Sequence, residues 1–461
     1  VTLVMGIDSS TQSVKALLVD GDDGTVVDQA SAKHPDGTEV DPRAWTAALD
    51  TVTPGLLERA EAVAVGGQQH GMVALDADGE PVRDALLWND TRSAGAARDL
   101  IEEHGGPQAC AEAVGSVLVA SFTVTKLRWL RDHEPEAAAR VERVLLPHDY
   151  VSAHLAAPGT APFTDRGDAS GTGYYAAHEG RWRPDLAAAA LGREVALPEV
   201  VDPGAVAGRT VAGQVLGAGT GDNMAAALGM DLRPGDVLVS IGTSGVASTV
   251  SRSAVVDGTG AVTGFADATG GYLPMATTMN AARILDLQAA LLGVDHDELA
   301  ELALSAPAGA NGVTLLPYYG GERTPNRPDA TGTWTGLRPS TTRADLARAA
   351  YEALLCSLAD AVDLIGGAVP EQVGRILLVG GAARSAAVRA LAPAVLGRPV
   401  EVPPSAEYVA LGAARQAAWA LSGAETPPAW PAPPTDLLEA DPTPDVRARY
   451  TELRDRTSDW N

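Results

Sequence analysis

Only two cysteines, Cys110 and Cys356, occur in 461 residues. That is too few for a disulfide scaffold, and no Cys/His spacing suits a structural zinc. Both thiols are expected to be buried and inert. Aromatic residues are scarce, with three phenylalanines in all, so the cores must be aliphatic and alanine-rich. Positive charge is in deficit. Lys and Arg number 34 against 59 Asp and Glu, a net charge of −25, which disfavours nucleic acid and anionic membranes as partners. The deficit does not exclude a nucleotide, whose phosphates are held locally by backbone N–H groups and Mg2+. No run of about 18 apolar residues occurs, and no basic stretch leads into an apolar one at the start. Neither a transmembrane helix nor a leader peptide is expected, and the protein is expected to be cytoplasmic.

Several motifs are missing as well. There is no G-x-x-x-x-G-K-[ST] loop, no G-x-G-x-x-G after a strand and no H-E-x-x-H. Asp295-His296-Asp297 lacks the glycine and closing glutamate of a calcium loop. It reads as the start of a helix, where acidic residues suit the dipole.

What is present is a repeated supersecondary unit. Leu3 to Ile7 reads as a strand, Asp8-Ser9-Ser10-Thr11-Gln12-Ser13 as a polar turn and Val14 to Val19 as the answering strand, with a third apolar run at Thr25-Val26-Val27. The pattern returns as Asp236 to Ile241, the turn Gly242-Thr243-Ser244-Gly245, and Val246 to Val250. Two α/β domains of one design are expected, joined near Arg233-Pro234-Gly235. Helices are expected over 41–60, 127–143, 281–292, 297–304 and 385–396. The spacing Thr342 to Asp345 is that of a capping box, opening an amphipathic helix through Ile365 with Leu346, Ala350, Leu354, Leu358 and Val362 on one stripe. Short apolar strands, Ala62 to Val65 and Arg375 to Val379, each run into a glycine pair. Thr426 to Pro434 reads as a proline-rich linker, and Pro444 to Arg456 as a last charged helix.

Five places could carry chemistry, four of them with a plainer reading beside it. The turn Asp8 to Ser13 can offer N–H groups and hydroxyls to a phosphate, with Asp8 on a hydrated Mg2+ and Lys15 adding charge; it also reads as an ordinary hairpin. Gly242 and Thr243 allow close approach of backbone to a ligand. Gly380-Gly381-Ala382-Ala383 forms either a flat shelf for an adenine ring or a simple strand-to-helix turn. Asp222, after a glycine run and at a helix start, is either a helix cap or a general base for a hydroxyl. Gln68-Gln69-His70-Gly71, directly after a buried strand, is either a polyol site or a satisfied interior cluster.

Two longer stretches resemble the signatures of the FGGY carbohydrate kinase family. One is Ser121 to His133, with Lys126 and Trp129 three apart. The other is Gly332-Thr333-Trp334-Thr335-Gly336-Leu337, followed by Asp345-Leu346 and Ala349 to Glu352. The resemblance covers nearly the whole chain. It implies an α/β fold of two actin-like ATPase (ribonuclease H-like) domains with an interdomain catalytic cleft, and Mg2+-dependent transfer of a phosphoryl group from ATP to a sugar hydroxyl. The implied blocks are 1–233 for sugar and phosphate, 234–422 for the nucleotide, and 423–461 for the linker and last helix.

Within the family, Gln68 to Gly71, Leu87-Trp88-Asn89-Asp90, Gly221-Asp222-Asn223, Leu315 to Tyr318 and Gly321 to Pro325 are most similar to the segments of members that phosphorylate D-xylulose. Asp222 is then the base and the product is D-xylulose 5-phosphate; ribulose, gluconate, a deoxy-ketose or another polyol is the alternative acceptor. The sugar is expected on Gln69, His70, Asp222 and Asn223. The nucleotide is expected on Thr11, Gln12, Ser13, Lys15, Gly242, Thr243, Gly380, Gly381, Ala382 and Ser385, with Mg2+ on Asp8. Gln69 stands where relatives carry Met, Ala382 where they carry a third glycine, and Ser385 where Asn or another polar residue is common. The expected partners are D-xylulose and ATP, with a homodimer as an open alternative.

Overall fold

A computed structural model describes residues 2–460. By compactness the chain divides into two units. The first runs to Leu232 and adds Arg252–Leu273 and Ala406–Ala432; the second holds Arg233–Ser251, Pro274–Ser405 and the chain from Pro433 on. The expected blocks were contiguous, whereas these units are not.

The first unit is built on a mixed sheet in the order Val206–Arg209, Val215–Gly217, Ala62–Gly67, Leu3–Ser9, Ser13–Asp20, Val26–Lys33. Alternation along the central strand explains its two packed faces. Met5 and Ile7 point into a core with Val63, Val65, Trp45 and Leu49. Val4 points to the other side, where Ala62 and Ala64 meet Ala410, Ala414 and Ala417 of the helix Tyr408–Ser422. That helix lies so close that a side chain at Gly6 would come within 1.9 Å of the Ala410 carbonyl. Small residues, not aromatic ones, set the spacing of this layer. The proline-rich stretch is docked rather than loose. Trp430 Nε1 donates to the Gly21 carbonyl at 3.0 Å, and Arg415 Nε to the Pro428 carbonyl at 2.9 Å.

The second unit repeats the opening. Val237–Ile241 pairs antiparallel with Gly245–Thr249 and parallel with Ile376–Val379, and Val400–Val402 and Asp436–Leu438 extend the sheet. The helix Arg343–Ala368 spans its core. Thr342 N donates to Asp345 Oδ2 at 2.8 Å, and Asp345 N donates back to Thr342 Oγ1 at 3.3 Å, so the capping box is formed. Ala350, Leu354, Leu358 and Val362 are buried as the stripe requires.

Prolines account for the displaced helix ends. The helix expected over 41–60 is Arg43–Val52 plus a turn Pro54–Leu57, because Pro54 has no N–H to continue the ladder. The one expected over 127–143 is Thr123–His133, followed by a separate turn at Pro135–Ala138. Both cysteines are buried and free. Among the described residues, no helix is long and apolar enough to cross a membrane.

Candidate active site

Strand register assembles the site of the first unit. Asp8 stands opposite Lys15 on one side and Gly66 on the other, while Thr220 and Gly221 pair with Gly66 and Gly67. Asp8, Gln68, Gln69 and Asp222 therefore emerge together at the carboxyl ends of neighbouring parallel strands, where open α/β sheets bind their ligands.

Asp222 is the first residue of the helix Asp222–Gly229. Its Oδ1 accepts from the Asn223 backbone N–H at 2.8 Å and from Asn223 Nδ2 at 2.9 Å. Asn223 Nδ2 also donates to Gln69 Oε1 at 2.9 Å, linking the acid to the loop Gln68–Gly71. Burial pushes the Asp222 carboxyl up to about 7, and the negative charges of Asp8 and Asp168 push the same way. Burial likewise raises Asp8 to about 7, with Lys15 opposing and Glu407 adding to the rise. Lys15 Nζ is held by Glu407 at 2.6 Å, which uses one of its three N–H donors.

His70 sits at φ 68°, a left-handed conformation uncommon outside glycine. Its Nδ1 faces the Gly171 carbonyl at 2.8 Å, which places the proton on Nδ1. Phe122 and Phe265 back the ring at 5.1 and 5.6 Å. Gly171 is required there, since a side chain would come within 2.5 Å of that Nδ1. Trp88, 46% exposed, donates its indole N–H to Thr11 Oγ1 at 2.9 Å, and Thr11 in turn donates to Gln68 Oε1 at 3.3 Å. Gln12 is exposed at the turn, and Ser10 Oγ donates to the Ser13 carbonyl at 2.9 Å.

Four buried polar atoms in these segments find no hydrogen-bond partner among the described residues: Gln68 Nε2, Gln69 Nε2, Asn89 Oδ1 and Asp8 Oδ1. Buried polar groups are nearly always paired, so these four atoms are candidates for partners supplied from outside the chain. Two donors and two acceptors suit hydroxyl groups, which do both.

Beneath this surface lies a charged cluster the sequence did not reveal. His148 Nδ1 contacts Asp168 Oδ2 at 2.6 Å, and Asp165 Oδ2 accepts from Thr220 Oγ1 at 2.7 Å, two residues before Asp222. Burial works against a charged His148, but Asp149, Asp168 and Asp165 outweigh it and hold the imidazole at about 9. A side chain at Gly67 would strike His148 Cβ at 2.7 Å. No spacing rule connects residues 148, 165 and 220, and only the fold brings them together.

The second unit carries a cavity of about 450 Å3. Gly242 and Thr243 line it from one turn, and Gly381, Ala382 and Ser385 from another. Gly380 does not line it but shapes it, since at φ 93° any side chain would meet Ile241 backbone at 2.7 Å. Ile241, Ala282, Leu285 and Tyr351 give an apolar wall, while Asp286, His296, Asp297 and Arg384 add polar groups. Tyr351 stood out in the sequence only as part of the Ala349 to Glu352 stretch of the second signature. Asp295 caps the helix His296–Ser305 through Glu298 N at 2.8 Å, as expected for that acidic run.

Residues 3–229 match the N-terminal domain model of the FGGY family of carbohydrate kinases, and residues 237–421 match its C-terminal domain model. The chain is 48% identical over 436 residues to a xylulose kinase of Streptomyces coelicolor, covering 91% of this chain and 88% of that one. It is 46% identical over 457 residues to a xylulose kinase of Streptomyces rubiginosus, covering 95% and 92%. The crystal structure of a xylulose kinase from Bifidobacterium adolescentis superposes with a TM-score of 0.93 at 45% identity, covering 98% and 99%.

Proposed function

Because the chain belongs to the FGGY family of carbohydrate kinases, with the two-domain α/β fold of actin-like ATPase-type sugar kinases, we propose that its acceptor is D-xylulose and its product D-xylulose 5-phosphate. ATP is the phosphoryl donor used by the family. The observation that carries the sugar assignment is the pair of partnerless amide nitrogens on Gln68 and Gln69, in a chain whose near relatives are xylulose kinases. The sugar is assigned to Gln69, His70, Asp222 and Asn223. Phosphates are assigned to Thr11, Gln12, Ser13 and Lys15 in the first unit and to Gly242 and Thr243 in the second, with the adenosine on Gly380, Gly381, Ala382 and Ser385.

Asp222 takes the proton of the C5 hydroxyl as its oxygen attacks the γ-phosphorus. A carboxyl near neutrality suits that task, because a general base works best with a pKa close to the working pH. Asn223 orients it with two hydrogen bonds to one oxygen, leaving Oδ2 toward the proton. Asp8 fits Mg2+: it is a single carboxylate with an unpaired buried oxygen, and Mg2+ is commonly held by one or two carboxylates, water and substrate phosphate. When bound, the ion neutralises charge on the phosphates. Phosphoryl transfer needs little else from a protein than positioning and charge stabilisation.

The assignment is tested by ADP release across a panel of D-xylulose, ribulose, gluconate, a deoxy-ketose and glycerol. D-xylulose is expected to give the highest kcat/KM. A higher value for another acceptor replaces it as substrate, and no acceleration by any sugar removes the catalytic reading in favour of a nucleotide-sensing role. A second expectation concerns pH. With its proton held up to about pH 7, the base is increasingly protonated below that point. Thus kcat/KM for the sugar should fall as pH drops from about 8 to about 6, with a limb belonging to the coupled Asp8–Asp222 pair. A profile flat across that range contradicts the assignment.

A further inference from the structure

We propose that Arg323 is a catalytic residue whose guanidinium binds the terminal phosphate oxygens of the nucleotide beside the Gly242–Thr243 turn and stabilises their charge during transfer. This rests on the kinase reading above and adds a residue to it.

Arg323 is mostly buried, yet no described residue gives its guanidinium a carboxylate or a hydrogen bond; its only bond runs from its backbone N–H to Glu322 Oε1 at 2.8 Å. Glu322 is itself committed, accepting from the Met279 backbone N–H and from Asn280 Nδ2 at 3.0 Å. Burial alone pulls the guanidinium below the ordinary arginine range, with no partner charge opposing it. Taking a cation partly out of water without an acceptor is costly. Such costs persist where a ligand supplies the missing charge.

The placement identifies the ligand. Thr324 Oγ1 donates to the Thr277 carbonyl at 2.8 Å, and Asn280 Nδ2 donates to the Gly321 carbonyl at 2.8 Å, so both flanks of Arg323 are fastened to the segment 277–280. That segment abuts the turn: Thr278 pairs with Gly245 in the sheet, Ala281 N donates to the Thr243 carbonyl at 3.1 Å and Ala282 N to the Gly242 carbonyl at 2.8 Å. The backbone of Arg323 is thus anchored one strand away from the Gly242–Thr243 turn, which lines the cavity. A planar guanidinium with free donors matches a phosphate in a two-pronged contact. An arginine aimed at a moving phosphoryl group is worth orders of magnitude in rate.

The test compares Arg323→Ala, Arg323→Lys and Arg323→Gln with the full-length parent. Affinities for ATP and for AMP are measured by calorimetry without sugar, so the identity of the acceptor does not enter. The ratio of ATP to AMP affinity is expected to fall about tenfold or more in the Ala and Gln variants, and less in Lys, because AMP lacks the terminal phosphates. Turnover should fall about 10²–10³-fold, with partial recovery in the Ala variant on adding guanidinium. An unchanged ATP-to-AMP ratio overturns the proposal whatever happens to turnover. If the Ala variant does not fold, the Lys and Gln variants carry the same comparison. Failure of the parent chain to bind ATP at all would instead sink the underlying kinase reading.

Discussion

Replacing Asp222 with asparagine is expected to lower kcat on D-xylulose by about 10²–10⁴-fold, the usual worth of a general base. Asparagine keeps the size and can keep the bonds from Asn223, so sugar and ATP binding should change little and the loss should appear in kcat. The same change has a predicted stability signature with a definite sign. The folded Asp222 carboxyl is raised to about 7 from its ordinary 3.8, so the folded state binds that proton more tightly than the unfolded chain. Its contribution is fully present below about pH 4 and is lost as pH rises through about 7. At pH 8 the ionised acid therefore works against the fold, and Asp222→Asn should melt higher than the parent, with the gap closing toward pH 4. A variant that is inactive yet more stable at pH 8 separates loss of chemistry from loss of structure. Near-normal turnover in a folded Asp222→Asn protein removes Asp222 from the mechanism.

The second large effect concerns packing at the foot of that same helix. A side chain at Gly412 would come within 1.8 Å of the Ala225 carbonyl, and one at Gly229 within 2.2 Å of the Tyr408 carbonyl. The helices Asp222–Gly229 and Tyr408–Ser422 therefore cross backbone to backbone. Gly412→Val cannot be absorbed by rotating a side chain, because the obstacle is main chain. It is expected to cost at least about 3 kcal/mol, the upper end of overpacking penalties, and to shift the helix whose first residue is Asp222. Thermal melting and kcat should fall together. Gly367→Ala is the matched control, since nothing lies within 4 Å of its added carbon in the helix Arg343–Ala368; it should be neutral or stabilising by up to about 1 kcal/mol. Equal behaviour of the two variants contradicts the close-packed crossing.

The contrast between these positions shows what the sequence could disclose. Strand–turn–strand units were legible because alternation and turn residues are local properties. So was the cap at Thr342, and so was the helix beginning at Asp222. The location of Tyr408–Ser422 against the first sheet was not, because an alanine-rich helix has no apolar stripe to point with. Its partner is chosen by Gly6, Gly229 and Gly412, far apart in the chain. The family signatures also turn out to be scaffold in large part. Lys126 is fully buried and donates to the carbonyls of Ser121 and, at 3.1 Å, Ala120. Trp129 lies against the guanidiniums of Arg83 and Arg92 at 5.4 and 5.1 Å. In the second signature, Glu352 accepts from the Gly309 N–H at 2.8 Å and from Arg348 at 2.7 Å. A long signature thus identifies the fold through residues that hold loops in place, while Arg323 and the His148 cluster draw their character from burial, which no local pattern encodes.

The central claim is that a sugar alcohol, activated at position 222, receives the phosphate that ATP loses. The direct measurement is product analysis after limited turnover, with ADP quantified and the sugar phosphate located by carbon–phosphorus coupling in its NMR spectrum. One D-xylulose 5-phosphate per ADP is expected from the parent chain, and from Asp222→Asn no more than about a hundredth of that amount in the same time. ADP and inorganic phosphate formed without a sugar phosphate, or phosphate carried on a carbon other than C5, would contradict it.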